Sequence, residues 1–215
     1  MKEIFKKYME DDIKLELCQI IGIISLIIVI SGIFGWTYEY IFYFFNSGMK
    51  QFYLRGANFL PWINIYATGS IMIIILTHKL KKNPLLIFLI SALSTGILEY
   101  FSGYFMYKLG NGIRCWDYNT EILSFGNIDG FVCLRSVTFF GLSALILMYL
   151  IVPFCIYLSK KMSKKTFLIL SISLCFIFLF DEFYNLIFAR ILNLPRASEI
   201  YKNLGFKYMD YYKNK

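Results

Sequence analysis

The sequence predicts an all-α membrane protein: a polytopic helical bundle of about five transmembrane helices, with a structured loop between helices 3 and 4. Composition is the first observation, because 58% of the 215 residues are hydrophobic, only 17% are charged, and the mean hydropathy is +0.59. The second observation is that the apolar residues fall in long runs separated by short lysine-rich segments. A chain with so little polar material does not fold as a water-soluble domain, and helices pair every backbone group within one segment in lipid.

Five apolar runs approach or exceed the roughly 20 residues that a helix needs to cross about 30 Å of hydrocarbon. Residues 1–16 precede them as a predicted cytoplasmic segment, residues 17–192 form one transmembrane domain, and residues 193–215 form a basic, tyrosine-rich tail. The predicted spans are Leu17 to Phe45, Leu60 to Thr77, Pro84 to Met106, Val132 to Leu158 and Thr166 to Leu192.

The formal net charge of +8 follows a topological pattern. Lysines cluster before the first span, between the second and third, and between the fourth and fifth. The positive-inside rule therefore predicts a multi-pass protein of the cell membrane with a cytoplasmic N-terminus. Six Lys and Arg residues from Arg190 to Lys215 oppose this orientation, because five spans place them outside. The lipid bilayer, and no nucleic acid, is the partner that this charge pattern predicts.

Several charged residues lie deep within the apolar runs. Glu99 and Asp181 each lie sixteen residues beyond the basic end of their run, at a depth of about 24 Å. Glu39, Glu182 and Arg135 fall near the same level, so the sequence predicts one charged layer. Charges at such a depth are costly unless they face a wet cavity or one another.

Small residues share helical faces with two of these acids, which predicts that the carboxylates face the bundle interior. The faces are Ala92, Gly96, Glu99 and Gly103 in the third run, and Ser31, Gly35 and Glu39 in the first. Two interpretations stay open. The acids line a polar pocket, or they lie at the headgroup level as structural partners of Arg135, Arg114 or Arg55.

The loop "KLGNGIRCWDYNTEILSFGNIDGFVCLR", residues 108–135, is rich in turn residues, beginning with Gly110 and Asn111. Such a pattern predicts a structured loop or a re-entrant cap. Its Trp and Tyr residues are typical either of interfacial anchoring or of a lid over a polar pocket. Cys115 and Cys133 can form a disulfide if that side of the membrane is oxidising.

Motifs within residues 32–158 resemble a family of bacterial membrane proteins described as Putative ABC-transporter type IV, or CmpB-like permeases. The motifs are "GIFGWTYE" at 32–39, "RG" followed by a proline and "IY" at 55–66, "LEYFSGY" at 98–104, "RCWDYN" at 114–119 and "NIDGFVCLR" at 127–135. Leu60, Asn64 and Ala67 depart from the family pattern, which has proline or glycine at those positions. The resemblance to the family pattern and the predicted charged layer together select ten candidate binding residues. These are Glu39, Arg55, Tyr66, Glu99, Trp116, Asp117, Tyr118, Asn127, Arg135 and Asp181.

Three functions stay open. The first, which the resemblance favours, is binding or translocation of a small polar or cationic solute through a membrane-embedded acidic pocket. The second is a structural or sensory membrane subunit without transport, and the third is an intramembrane lipid-modifying enzyme. An enzymatic function is the least expected of the three, since no nucleophile-base pair accompanies the acids.

The sequence predicts neither a metal nor a cofactor. His78 is the sole histidine, and it lies among lysines. No G-x-x-x-x-G-K-[ST] motif occurs, so transport driven by ATP requires a separate ATPase or another membrane subunit. The lysine-rich turns "HKLKKN" and "SKKMSKK" are too short to contain a coupling helix for such an ATPase. A second copy of the chain is the other candidate partner.

Overall fold

The computed structural model describes residues 1–109, 112–208 and 212–213. Gly110 and Asn111 of the predicted loop, and residues 209–211 and 214–215 of the predicted tail, lie outside these ranges. Most of the described chain is helical, as the sequence predicts. The helices are α1 (Lys2–Met9), α2 (Leu17–Asn46), α3 (Asn64–Thr77), α4 (Pro84–Leu109), α5 (Leu134–Ile146), α6 (Val152–Lys161), α7 (Lys164–Phe183), α8 (Ala189–Ile191) and α9 (Ala197–Asn203). The strands β1 (Ile113–Arg114) and β2 (Tyr212–Lys213) pair antiparallel.

Among the described residues, four helical segments are long and apolar enough to cross a membrane. They are Leu17–Asn46, Pro84–Leu109, Leu134–Lys161 and Lys164–Ile191. The last two contain π-helical turns, at Leu147–Ile151 and Tyr184–Phe188. A π-helical turn holds an extra residue, so it changes the direction of the side chains that follow, and such turns are frequent at functional sites.

The second predicted span differs most from the structure. A helix was expected from Leu60, but α3 begins at Asn64 and has 14 residues, fewer than the roughly 20 that cross hydrocarbon. The apolar residues 59–63 lie in a loop instead, where a side chain of α7 binds the N–H groups of Phe59 and Leu60. Pro61 has no N–H to donate to a helix that continues through it.

The chain divides into two compact units. The first combines Met1–Ile71 with Leu147–Tyr208, and the second combines Met72–Ile146 with β2.

In the first unit, α2 packs against α6 and α7, and α1 packs against α6. Its core includes a cluster of buried residues from the loop before α3 and from three helices: Val29, Trp62, Ala67, Cys175 and Phe178. Gly35 allows a close approach, because a Cβ atom at this position would overlap the ring of Tyr66. The predicted small face of the first span therefore packs inside this unit.

In the second unit, α4 packs against α5 and β1. A Cβ atom at Gly96 would lie 2.7 Å from a methyl carbon of Val137, so the two helices are in contact at this glycine. The buried residues of α4 form one face: Ile87, Ser91, Thr95, Gly96, Glu99 and Gly103. Glu99 faces inward together with Gly96 and Gly103, as predicted, whereas Ala92 of the same predicted face is half-buried.

Candidate functional site

Three of the candidate residues come together in the first unit, around an ion pair. The Nε atom of Arg55 lies 2.8 Å from Oε2 of Glu39, and their side chains are only 9% and 15% exposed. The hydroxyl of Tyr66 donates to Oε1 of Glu39 at 3.2 Å. The Arg55 guanidinium also lies 4.2 Å from the centre of the Tyr43 ring, a cation–π geometry. Glu39 is thus paired with a cation of its own chain, as the structural interpretation predicts.

Asp181 of α7 binds backbone rather than another charge. Its two carboxylate oxygens accept the N–H groups of Phe59 at 3.0 Å and Leu60 at 2.9 Å. The amide Nδ2 of Asn185 donates to Oδ1 of the same carboxylate at 2.8 Å. Since Asp181 is 5% exposed, the carboxylate holds the loop before α3 from inside the unit.

Glu182 is a buried acid of α7 that is absent from the candidate residues, although it follows Asp181 directly. It is 7% exposed, and its Oε1 accepts a hydrogen bond from Nδ2 of Asn58 at 2.7 Å. Asn58 is itself 5% exposed and also lies 3.3 Å from the carbonyl of Trp62. Within the part of the chain that the structure describes, Glu182 makes no ion pair. Its observed donor is a neutral amide.

The π-helical turn after Glu182 connects this region to the C-terminal segment. Asn185, the second residue of that turn, accepts the N–H of Ala197 at 2.8 Å through Oδ1 and donates to Asp181 through Nδ2. The hydroxyl of Tyr201 on α9 donates to the carbonyl of Phe59 at 2.7 Å. The loop before α3 is therefore bound both by α7 and by α9.

Glu99 has hydroxyl donors in the second unit. It is 4% exposed, and its Oε2 lies 2.7 Å from Oγ of Ser136, a residue of α5. Its other oxygen, Oε1, accepts the hydroxyl of Tyr118. This buried carboxylate joins α4, α5 and the long loop between them.

Arg135 forms an ion pair at the start of α5. Its Nη2 lies 2.7 Å from Oε2 of Glu121, an acid of the long loop that the sequence interpretation did not select. Its Nη1 donates to the carbonyl of Ile122 at 2.8 Å, and its guanidinium lies 5.1 Å from the centre of the Tyr118 ring. Arg135 therefore orders the loop and contacts the tyrosine that donates to Glu99.

The long loop is structured, as predicted, by contacts among its own residues. Trp116 donates its Nε1 hydrogen to the carbonyl of Phe131 at 2.9 Å. Asp117 accepts Nδ2 of Asn119 at 2.8 Å, and Asn127 donates to Oδ1 of Asn119 at 2.6 Å. Asn127 also accepts the N–H of Gly130 at 2.8 Å. Four candidate residues thus shape the loop: Trp116, Asp117, Tyr118 and Asn127.

The candidate residues fall into two groups. Those of the first unit are Glu39, Arg55, Tyr66 and Asp181, and those of the second are Glu99, Trp116, Asp117, Tyr118, Asn127 and Arg135. A single layer of carboxylates remains a prediction. Cys115 and Cys133, which the sequence allows as a disulfide pair, are not joined by a disulfide in the structure. Among the described residues, no three or more His, Cys, Asp or Glu side chains are grouped to hold a metal ion.

Four apolar helical segments and carboxylates buried within them define an integral, multi-pass membrane protein. Residues 26–186 match the model of the family described as Putative ABC-transporter type IV. The match covers most of the chain, which belongs to this family. No match was found among curated proteins or among solved structures.

Proposed function

We propose that this protein binds or translocates a small polar or cationic solute as a membrane component of a transport system. One observation carries the proposal: Glu182 is buried in a candidate span, and its hydrogen-bond donor is the neutral amide of Asn58. A carboxylate in a membrane span is costly and is commonly retained for ion, proton or solute binding. Family membership supports the transport role.

The chemistry of the Glu182 and Asn58 pair suits a polar ligand. A carboxylate accepts hydrogen bonds from ammonium or hydroxyl groups, or takes up a proton, while an amide both donates and accepts. Glu39 is less suited to this role because Arg55 neutralises it at 2.8 Å. Asp181 is occupied by two backbone N–H groups, so we assign it the role of fixing the loop that carries Asn58.

Glu99 is the second carboxylate that we assign to solute binding. Its carboxylate is buried in a candidate span and accepts hydrogen bonds from the hydroxyls of Tyr118 and Ser136. Tyr118 belongs to the loop ordered by Arg135, so movement of that loop would change the hydrogen bonding of Glu99. This arrangement supports the lid interpretation of the loop.

In this role the protein lies in the cell membrane with its N-terminus in the cytoplasm, and it acts as a non-enzymatic component. The chain has no P-loop motif, so coupling to ATP hydrolysis would need a separate ATPase.

A thermal-shift screen of the detergent-purified protein tests the proposal. The probes are sodium, potassium, ammonium, choline and spermidine chlorides and a panel of nucleosides, each on wild type, Glu182→Gln and Glu99→Gln. Glu3→Gln is the matched control, because the Glu3 side chain is 81% exposed on α1. A ligand that stabilises wild type and Glu3→Gln but neither buried variant supports the proposal, since a ligand that binds the native state raises its stability. Identical responses of all four proteins would overturn it.

A structural or sensory role is the second candidate. It is favoured by Glu39 and Asp181, because both bind groups of the same chain rather than facing an open site. If only this role applies, Asp181→Asn lowers the thermal midpoint while no probe in the screen stabilises wild type.

A further inference from the structure

A basic groove lies in the first unit where α2 begins, α6 ends and α7 begins. Its volume is about 290 Å³. The polar residues that line it are Lys14, Glu16, Gln19, Ser159, Lys160 and Lys164. Three ammonium groups against one carboxylate give the groove a net positive charge.

The floor of the groove is formed by two buried polar residues. Gln19 and Ser159 are 3% and 1% exposed, and Nε2 of Gln19 donates to the carbonyl of Ser159 at 2.9 Å. The ammonium of Lys160 donates to the carbonyl of Lys14 at 2.7 Å, while Lys164 pairs with Glu16. Lys160 is thus held by a backbone carbonyl and Lys164 by a carboxylate at the same opening.

The position of the groove relates it to the bilayer. Three candidate spans have an end here, since two begin at Leu17 and Lys164 and one ends at Lys161. Ends of spans lie at the level of lipid headgroups. Apolar residues at the start of α2 are exposed beside it, with Leu17 at 72%, Ile20 at 39% and Ile21 at 42%.

A second basic feature lies on the neighbouring helix. Helix α1 packs against α6 and carries Lys2, Lys6 and Lys7 together with the apolar residues Ile4 and Phe5. A short amphipathic helix with lysines on its polar face is typical of segments that lie on an anionic membrane surface.

We propose that the groove binds the phosphate of an anionic phospholipid, with Lys160 and Lys164 on the phosphate and the acyl chains along the exposed start of α2. Ammonium groups bind phosphate as point charges. The exposed Leu17, Ile20 and Ile21 favour a lipid over a soluble anion, because they offer an apolar surface that only acyl chains would cover. This site is independent of the proposed solute-binding carboxylates.

The test measures the thermal midpoint of the full chain in a neutral detergent, titrated with dioctanoyl phosphatidylglycerol or dioctanoyl phosphatidylcholine. The double variant Lys160→Gln/Lys164→Gln removes two ammonium groups. Lys79→Gln/Lys82→Gln is the matched control, because these exposed lysines lie in the turn before α4. We expect phosphatidylglycerol to bind the first variant about thirtyfold more weakly than wild type, and the control variant as tightly as wild type.

Two further measurements distinguish a lipid from a soluble anion and test the role of Glu16. The thermal midpoint is compared in sodium phosphate and in sodium chloride at equal ionic strength. If phosphate raises the midpoint as much as phosphatidylglycerol does, the groove binds a soluble anion and the lipid assignment is wrong. Glu16→Gln removes the carboxylate that competes for Lys164, so we expect it to bind phosphatidylglycerol up to about fivefold more tightly. Equal loss in both lysine variants, or no loss in either, would also refute the proposal.

Discussion

The ion pair of Glu39 and Arg55 allows a quantitative prediction. Arg55→Gln leaves the Glu39 carboxylate, 15% exposed, with the Tyr66 hydroxyl at 3.2 Å but without its cation. Breaking a buried pair from one side costs roughly 3–5 kcal/mol. Glu39→Gln should cost less, about 2 kcal/mol, because Arg55 keeps its position over the Tyr43 ring, where cation–π attraction contributes about 1 kcal/mol.

The double variant Glu39→Gln/Arg55→Gln leaves two neutral amides and no uncompensated charge. Its destabilisation should therefore be smaller than the sum of the single variants, by a coupling energy of roughly 2 kcal/mol. The measurement is equilibrium unfolding in mixed micelles of dodecyl maltoside and SDS for all four proteins.

The pair of Glu3 and Lys7 provides the matched control, because these side chains are 81% and 49% exposed and lie 3.1 Å apart on α1. An exposed pair at this spacing contributes only about 0.2–0.5 kcal/mol. If the coupling of Glu39 and Arg55 is no larger than that of the control pair, the burial argument is wrong.

Two further predictions concern packing and pH. Replacing Gly35 by alanine should destabilise the protein by about 1–3 kcal/mol, since the new methyl group would overlap the Tyr66 ring. Helix propensity alone predicts that the alanine variant is more stable. A stabilised variant would therefore show that Gly35 and Tyr66 are not in close contact. Burial raises the pKa of the Tyr8 phenol above its ordinary value of 10.0, with Tyr149 and Asp11 adding to the effect. The folded chain thus holds this proton more tightly than the unfolded chain. The free energy of unfolding should therefore fall as the pH rises above 10.0, by at most about 1.4 kcal/mol per pH unit for this group. Between about pH 9 and 11, the thermal midpoint of Tyr8→Phe should fall less than that of wild type. If the midpoints of the two proteins fall equally with pH, the Tyr8 phenol does not cause the loss of stability.

The long helices could be predicted because hydrophobic composition and the backbone requirement of lipid act locally. Helix α4 begins at Pro84, as predicted, since proline is tolerated in the first turn and its φ angle suits a helix start. The start of α3 could not be predicted in this way. Residues 59–63 are as apolar as the predicted spans. However, the backbone N–H groups of Phe59 and Leu60 bind Asp181, which lies far away in the chain, and hydropathy carries no information about such a partner.

The candidate site was predictable where a residue type is unusual for its surroundings. Glu39 and Glu99 stand out because each is an acid within an apolar run. The hydrogen-bond and ion-pair partners of the charged residues could not be predicted in this way. Asn58 donates to Glu182, which lies 124 positions later in the chain. Glu121, which pairs with Arg135, lies in a loop of mixed composition. Such pairings depend on tertiary packing, so single-sequence reasoning detects the buried charge but not the group that compensates it.

The hydrogen bonds from Phe59 and Leu60 to Asp181 join positions 122 and 121 residues apart. During synthesis, the segment before α3 leaves the ribosome before α7 exists, so these two hydrogen bonds can form only after the last span has been made. The loop before α3 can therefore acquire its final hydrogen-bond partners only late in biogenesis. A chain truncated before Asp181 would lack the acceptor of both hydrogen bonds.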